Sequence, residues 1–230
     1  MESQLRLLAE LAQYQKEISE ENVRRMIAAI KAVFRTHLVS HGFLLDRVIK
    51  LSTKFHDAGR RSAPWQPASK KVPGRPQDGA DGNRRRRWLF DPSHKFYATE
   101  VMATLVEVKY FLQTLSMTDA PPLPSDTIQD SFLWLTGHRI EPGVYRDPIQ
   151  LVPMSLTDFM ADPRSVESGH FVPLDRGGRH VPENTFLMLA RSNKLQGNLT
   201  LEELIDLMER IVRRHRDIDT DGSSDLIIPG

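Results

Sequence analysis

The chain has 230 residues, 40% of them hydrophobic and 27% charged, with 31 Lys and Arg, 30 Asp and Glu and no Cys. That is enough apolar material for one large or two small cores, and it excludes both a disulfide framework and a cysteine-bound structural zinc. No apolar run approaches the roughly 18 residues of a membrane span and no leader pattern follows Met1, so a cytoplasmic protein is expected, and a net charge of +1 leaves any nucleic-acid contact to the distribution of charge rather than its sum.

The N-terminal part reads as helical. Leu7, Leu11, Tyr14 and Ile18 share one face of a first helix, and Val23, Met26, Ile27, Ile30, Val33, Phe34 and Leu38 share a face of a second. Ser19, followed by Glu20 and Glu21, is placed to cap the second. After Gly42 a third helix aligns Leu44, Val48, Leu51 and Phe55.

Between Lys54 and Lys95 eleven Lys and Arg stand against four Asp. Pro64, Pro67, Pro73, Pro76, Gly74, Gly79 and Gly82 interrupt the stretch, which reads as a long irregular basic loop. Lys70, Lys71 and the run Arg84, Arg85, Arg86 and Arg87 are candidates to lie along phosphates, with Trp65 or Trp88 to stack or wedge. The other reading of the same loop is a solvated basic segment with a buried Trp88.

A fourth helix is expected from Pro92 and Ser93 to about Met117, carrying Tyr97, Val101, Leu105, Val108, Leu112 and Leu115. The four stripes together describe a helical bundle. The Pro-rich segment 120–126 breaks the chain before a shorter helix through Ile128, Phe132 and Leu135 that stops at Gly137. Residues 141–164, interrupted by Pro142, Pro148, Pro153 and Pro163, lead into the segment that carries the chemistry.

In that segment Phe171, Val172, Pro173 and Leu174, then Asp175, Arg176, Gly177 and Gly178, then Thr185 to Leu189 read as two short strands joined by a glycine turn. A helical turn after them would bring Asn193 back over His170. Thr200 and Glu203 form a capping box opening a last helix, with Leu204, Leu207, Met208, Ile211 and Val212 on its buried side. Arg210, Arg213, Arg214 and Arg216 stud its end beside His215, and residues 217–230 form an acidic tail. Hydrolysing a phosphodiester needs a base to take a proton from water and a cation to hold the phosphate. Imidazole, with an ordinary pKa near ~6.5, is suited to the first task, and an Asn carbonyl oxygen to binding a hard cation such as Mg²⁺ for the second.

The order and spacing of His170, Pro173, Gly177, Gly178, Asn184, Asn193, Lys194, Gln196, Gly197, Thr200 and Glu203 resemble the HNH, or ββα-metal, family of nucleases. The resemblance covers only residues 168–204. It implies a mostly α chain with a small ββα-metal motif near the C-terminus, an α+β protein. Residues 1–140 would form a helical recognition or dimerisation region and 141–216 the nuclease unit.

By the same resemblance His170 is the general base, Asn184 braces the loop that bears it, and Asn193 binds Mg²⁺ or Mn²⁺. Arg176, Arg179, Arg191 and Lys194 join the loop residues as expected DNA contacts. One position departs from the pattern. The family places Asp or a second His directly before the base, where this chain has Gly169. Glu167, Ser168, Asp175, Asp147 or Asp158 could supply the missing ligand, Glu167 being preferred as a nearby carboxylate.

A backbone carbonyl of the hairpin is expected to hold the far side of the His170 ring, and His180 to be exposed or to touch phosphate. With no Cys, the motif must be held by packing against the rest of the chain. The implied activity is endonucleolytic cleavage of duplex DNA leaving a 5′ phosphate, in a restriction or defence role, by a homodimer, or by a second binding event with the enzyme reversed, if both strands are cut. A non-catalytic nucleic-acid-binding protein that has lost its first ligand, and a nuclease subunit dependent on a partner, are the alternatives.

Overall fold

In the computed structural model the described residues are 1–13, 18–62, 85–123 and 132–220. They form a mostly helical structure with two small antiparallel sheets. Its centre is α4 (Glu100–Leu115), whose residues from Ala103 to Leu115 are all buried. A helix buried on every side has to be surrounded, and its polar side chains Glu107, Lys109 and Gln113 have to find partners there. α2 (Glu20–Ser40) and α3 (Leu45–Arg60) pack on it, α1 (Glu2–Gln13) packs on α2, and the hairpin described below covers another side.

Phe34 and Phe55 meet Phe111 edge-on, with ring centroids 4.9 and 5.0 Å apart. Burying each such ring stabilises the core by roughly 1.5–3 kcal/mol. Ser19 caps α2 by accepting the Asn22 amide at 3.2 Å. The fourth helix begins later than its apolar stripe suggests. Asp91 turns the chain by accepting the Ser93 amide at 2.9 Å and its hydroxyl at 2.6 Å, and the helix opens only where Thr99 caps the Met102 amide at 3.2 Å. Tyr14 and Ile128, expected on helices, lie outside the described residues.

The basic stretch is not one loop from end to end. α3 runs through Arg60, then β1 (Arg61–Ser62) pairs antiparallel with β2 (Arg85–Arg86), followed by a 3-10 turn at Arg87–Leu89. Lys54 donates to the Pro163 carbonyl at 2.7 Å, and Arg60 shares the buried Glu100 carboxylate with Arg24 at 2.9 and 2.6 Å. Several of the cations counted as excess are therefore tied into the fold.

Beyond α4 come α5 (Leu133–Thr136), ended by Gly137 with φ 63°, and α6 (Leu156–Ala161). The hairpin is β3 (Val166–His170) against β4 (Thr185–Leu189), with His170 opposite Thr185 and Val166 opposite Leu189. The first strand thus ends where it had been expected to begin: Phe171 to Leu174 belong to the connection. α7 (Ala190–Gln196) and α8 (Leu201–Thr220) follow.

The open edge of β4 is closed by side chains. The Leu187 amide donates to Gln113 at 2.9 Å, its carbonyl accepts from Tyr145 at 2.6 Å, and the Leu189 amide donates to Asp147 at 2.8 Å. Buried Lys109 adds a bond to the Pro182 carbonyl at 2.5 Å. These contacts hold the hairpin to the helical part. Thr200 and Glu203 make both bonds of the capping box, at 2.9 and 3.3 Å. Contrary to the sequence reading, Leu207, Met208, Ile211 and Val212 of α8 are exposed. Among the described residues no helix is long and apolar enough to cross a membrane.

Candidate active site

His170 is the last residue of β3, and its ring is oriented by a relay that begins in α3. The His180 Nε2 lies 2.7 Å from the Gly59 carbonyl, and the His180 Nδ1 lies 3.1 Å from the His170 Nε2. A carbonyl only accepts, so the proton of neutral His180 sits on Nε2 and its Nδ1 is an acceptor. His170 must then donate from Nε2. The Nδ1 of His170 is left as a bare lone pair, the form required of a base.

Three features keep the relay in this state. Gly59 sits so close to α4 that an added Cβ would come within 2.8 Å of the Glu107 side chain, which fixes the carbonyl that starts the chain. His180 is fully buried, and burial with the nearby Arg87 guanidinium pushes its pKa down. The same two causes, burial first, push His170 down to about 3. Desolvation and a neighbouring cation both disfavour the imidazolium. His180 is thus neither exposed nor a phosphate contact, and the group holding the His170 ring is this side chain rather than a hairpin carbonyl.

Asn184, immediately before β4, braces the connection. Its carbonyl oxygen accepts the Val172 amide at 2.8 Å, and its amide donates to the carbonyls of Val172 at 3.0 Å and Arg179 at 2.9 Å. The loop closes so tightly that a Cβ at Gly178 would overlap the Val172 carbonyl. This is the physical reason for Gly178, and Gly177 beside it takes a left-handed φ of 84°.

α7 lies along β3. Gln196 donates to the His170 carbonyl at 2.8 Å, and one turn earlier Asn193 donates to Glu167 at 2.6 Å. The Asn193 carbonyl oxygen and the Glu167 carboxylate are therefore held side by side as two hard oxygen donors. Among the described residues no three His, Asp, Glu or Cys gather into a metal cluster. A divalent cation of the Mg²⁺ type fits such a sparse set, since it is commonly held by one or two protein carboxylates with phosphate and water filling the rest.

The other ligand candidates are placed differently. Gly169 faces the Met188 side chain, whose Cε would lie 2.6 Å from an added Cβ. Asp147 is fully buried and accepts from the amides of Ile149, Gln150 and Leu189 and from the Ser192 hydroxyl at 2.6–3.0 Å, so it is a structural anchor. Asp175 pairs with Lys95, and Asp158 is exposed on α6.

Of the expected DNA contacts, Lys70, Lys71 and Arg84 lie outside the described residues. Arg85, Arg86, Arg179, Arg191 and Lys194 are exposed. Arg87 is not. It is buried between the carbonyls of Ala58 and Phe96, each at 3.4 Å, and burial lowers its pKa to about 10, so it remains a cation behind the histidine relay. Arg176 is engaged by Glu203 at 2.8 and 3.2 Å. Trp88 is flanked by the Arg60 and Arg86 guanidinium groups, 5.1 and 5.6 Å from its ring centroid. The sequence reading missed the roles of Gly59, Arg87 and His180. Only His180, ten residues past His170 in the same loop, left any local signal.

No family model matches the chain, and no curated protein does. Among solved structures, the crystal structure of a type II restriction endonuclease is similar, with 23% sequence identity and a TM-score of 0.44, over 53% of this chain and 55% of that one. The match thus spans about half the length of that protein.

Proposed function

We propose that this protein is a divalent-metal-dependent endonuclease of the HNH type, acting on duplex DNA in a restriction or other defence role. The observation that carries the reading is the relay from Gly59 through His180 to His170, which leaves Nδ1 of His170 unprotonated at the end of β3 beside the helix that holds Asn193 against Glu167.

In this reading His170 Nδ1 takes a proton from the water that attacks phosphorus. The new bond forms as the bond to the 3′ oxygen breaks, the departing oxygen takes a proton from solvent water, and the products are a 5′ phosphate and a 3′ hydroxyl. Glu167 and Asn193 would hold Mg²⁺ or Mn²⁺, which when bound supplies positive charge to the phosphate and the departing oxygen. The proton acquired by His170 is opposed by Arg87. The phosphodiester brings the negative charge that offsets it. Arg179, Arg191 and Lys194, exposed on the loop and on α7, would contact the phosphate backbone.

One observation favours a second reading, a DNA-binding protein without catalysis: Met188 fills the space where a ligand at Gly169 would sit. The two readings part in one assay. Metal-stripped protein is incubated with supercoiled plasmid and then given Mg²⁺ or Mn²⁺. Nicked or linear product that appears only with metal supports the nuclease; binding without cutting, on modified and unmodified DNA alike, contradicts it.

A further inference from the structure

Between the turn that precedes α4 and the loop that carries His180 lies a cavity of about 600 Å³. Pockets for small ring-bearing ligands commonly fall in this size range, roughly 300–1,000 Å³. Met102, Leu174 and Val181 give it an apolar lining.

Its polar side chains have bonds to spare. The His94 Nδ1 accepts the Phe96 amide at 3.1 Å, so the neutral ring carries its proton on Nε2. Among the described residues nothing bonds that Nε2 or the Tyr97 hydroxyl, and no carboxylate pairs with the Arg179 guanidinium. Lys95 also lines the cavity but is held by Asp175, which leaves Arg179 as the available cation. The cavity therefore offers an N–H, a hydroxyl and a guanidinium around an apolar space. That set matches a planar ring with a hydrogen-bonding edge and an attached anion, which is a nucleobase with its phosphate.

The cavity shares a wall with the candidate site. His180 lines it, and both nitrogens of that ring are used, one on the Gly59 carbonyl and one on His170. The Arg179 carbonyl is held at 2.9 Å by the same Asn184 that braces the chain after His170. On the reading that the chain acts on duplex DNA, we propose that this cavity receives one nucleotide turned out of the duplex near the bond to be cut. Its base lies against the Tyr97 and His94 rings and its phosphate on Arg179. A base taken out of its pair is read on edges that pairing hides, and a pair that resists opening is a poor substrate.

The test is the affinity of the full chain, in metal-free buffer, for short duplexes in which a single mismatched pair is moved along the sequence. A mismatch lowers the cost of turning a base out, so one position is expected to bind roughly 10-fold more tightly than the matched duplex. Met102→Trp, at a position 37% exposed on α4, fills the cavity. That variant is expected to keep duplex binding and helical circular dichroism but to treat every mismatch position alike.

A parent chain that binds duplexes with no preferred mismatch position overturns the proposal, and so does a preference that survives Met102→Trp. Saturable binding of a deoxynucleoside monophosphate without such a preference also overturns it, assigning the cavity to a free nucleotide. The nuclease reading fails separately. A mismatch preference in a chain that cuts nothing with Mg²⁺ or Mn²⁺ upholds the cavity and removes the catalysis, and metal-dependent cutting with no preference does the reverse.

Discussion

His170 and His180 are joined ring to ring, Nε2 to Nδ1 at 3.1 Å, and the second ring takes its proton position from the Gly59 carbonyl at 2.7 Å. The protonation pattern of a residue on β3 is thus written by the end of α3. Replacing His180 with Ala removes the acceptor and frees His170 to carry its proton on either nitrogen. Turnover is expected to fall roughly 10–100-fold with little change in DNA affinity, the usual consequence of losing a supporting hydrogen bond. The specific readout is the pair of ¹⁵N shifts of the His170 ring: a single Nε2–H tautomer in the parent chain, a mixture in His180→Ala. A parent chain with the proton on Nδ1 would refute the relay.

The pH dependence of stability has a definite sign. His170 is pushed down to about 3 and His138 to about 4, both chiefly by burial, against an ordinary value of 6.5. The folded chain therefore binds fewer protons than the unfolded chain between those values. The stability held by the neutral rings is complete above pH 6.5 and is lost as pH falls towards 4 and then 3. Glu100, lowered mainly by its hydrogen bond with Arg24, acts in the same direction, its contribution being complete above its ordinary value of 4.5 and lost as pH falls below it. Thermal melts should drop steadily below pH 6.5, while the His170 ring signals of the folded protein stay constant between about pH 5 and 8. Titration of His170 near 6.5 would contradict this.

Asp147 joins residues 149 and 150, the end of β4 and the start of α7 through four hydrogen bonds. Asp147→Ala leaves buried donors without an acceptor, and a loss of about 2–4 kcal/mol is expected. For a chain of this size each kcal/mol lowers the melting temperature by about 2–4 °C. A shift under one degree would show that the anchor is dispensable.

Glu167 and Gly169 make a matched test of the ligand set. Glu167→Gln keeps a partner for Asn193 but removes the negative charge, and the Mn²⁺ concentration needed for half-maximal cutting should rise at least roughly 10-fold. Gly169→Asp forces its Cβ against Met188 and should destabilise the chain by about 1–3 kcal/mol through overpacking. Gly169→Asp with Met188→Ala should recover stability. An unchanged metal requirement in Glu167→Gln would remove that residue from the site.

Helices α2 and α3 were legible because their stripes are long and regular and because Ser19 caps the first of them. The hairpin was legible in its second strand, Thr185 to Leu189, where the apolar run is continuous. Its first strand was not. Val166, Glu167, Ser168, Gly169 and His170 have little strand character of their own, and they are held extended by pairing with β4 and by α7. Arg87 could not be separated from Arg84, Arg85 and Arg86 by sequence, because only the packing of α3 against the chain after β2 decides which of four consecutive arginines turns inward. In α8 the apolar spacing marks a face but not its cover, and Leu207, Met208, Ile211 and Val212 are exposed.

Whether His170 is the base of a phosphodiester hydrolysis is decided by the rate of supercoiled plasmid cleavage by His170→Ala in Mn²⁺, with DNA binding measured in parallel. With His170 as the base, cutting is abolished while binding and the melting temperature of the complex persist. A His170→Ala chain that still cuts at a rate near that of the parent would contradict it.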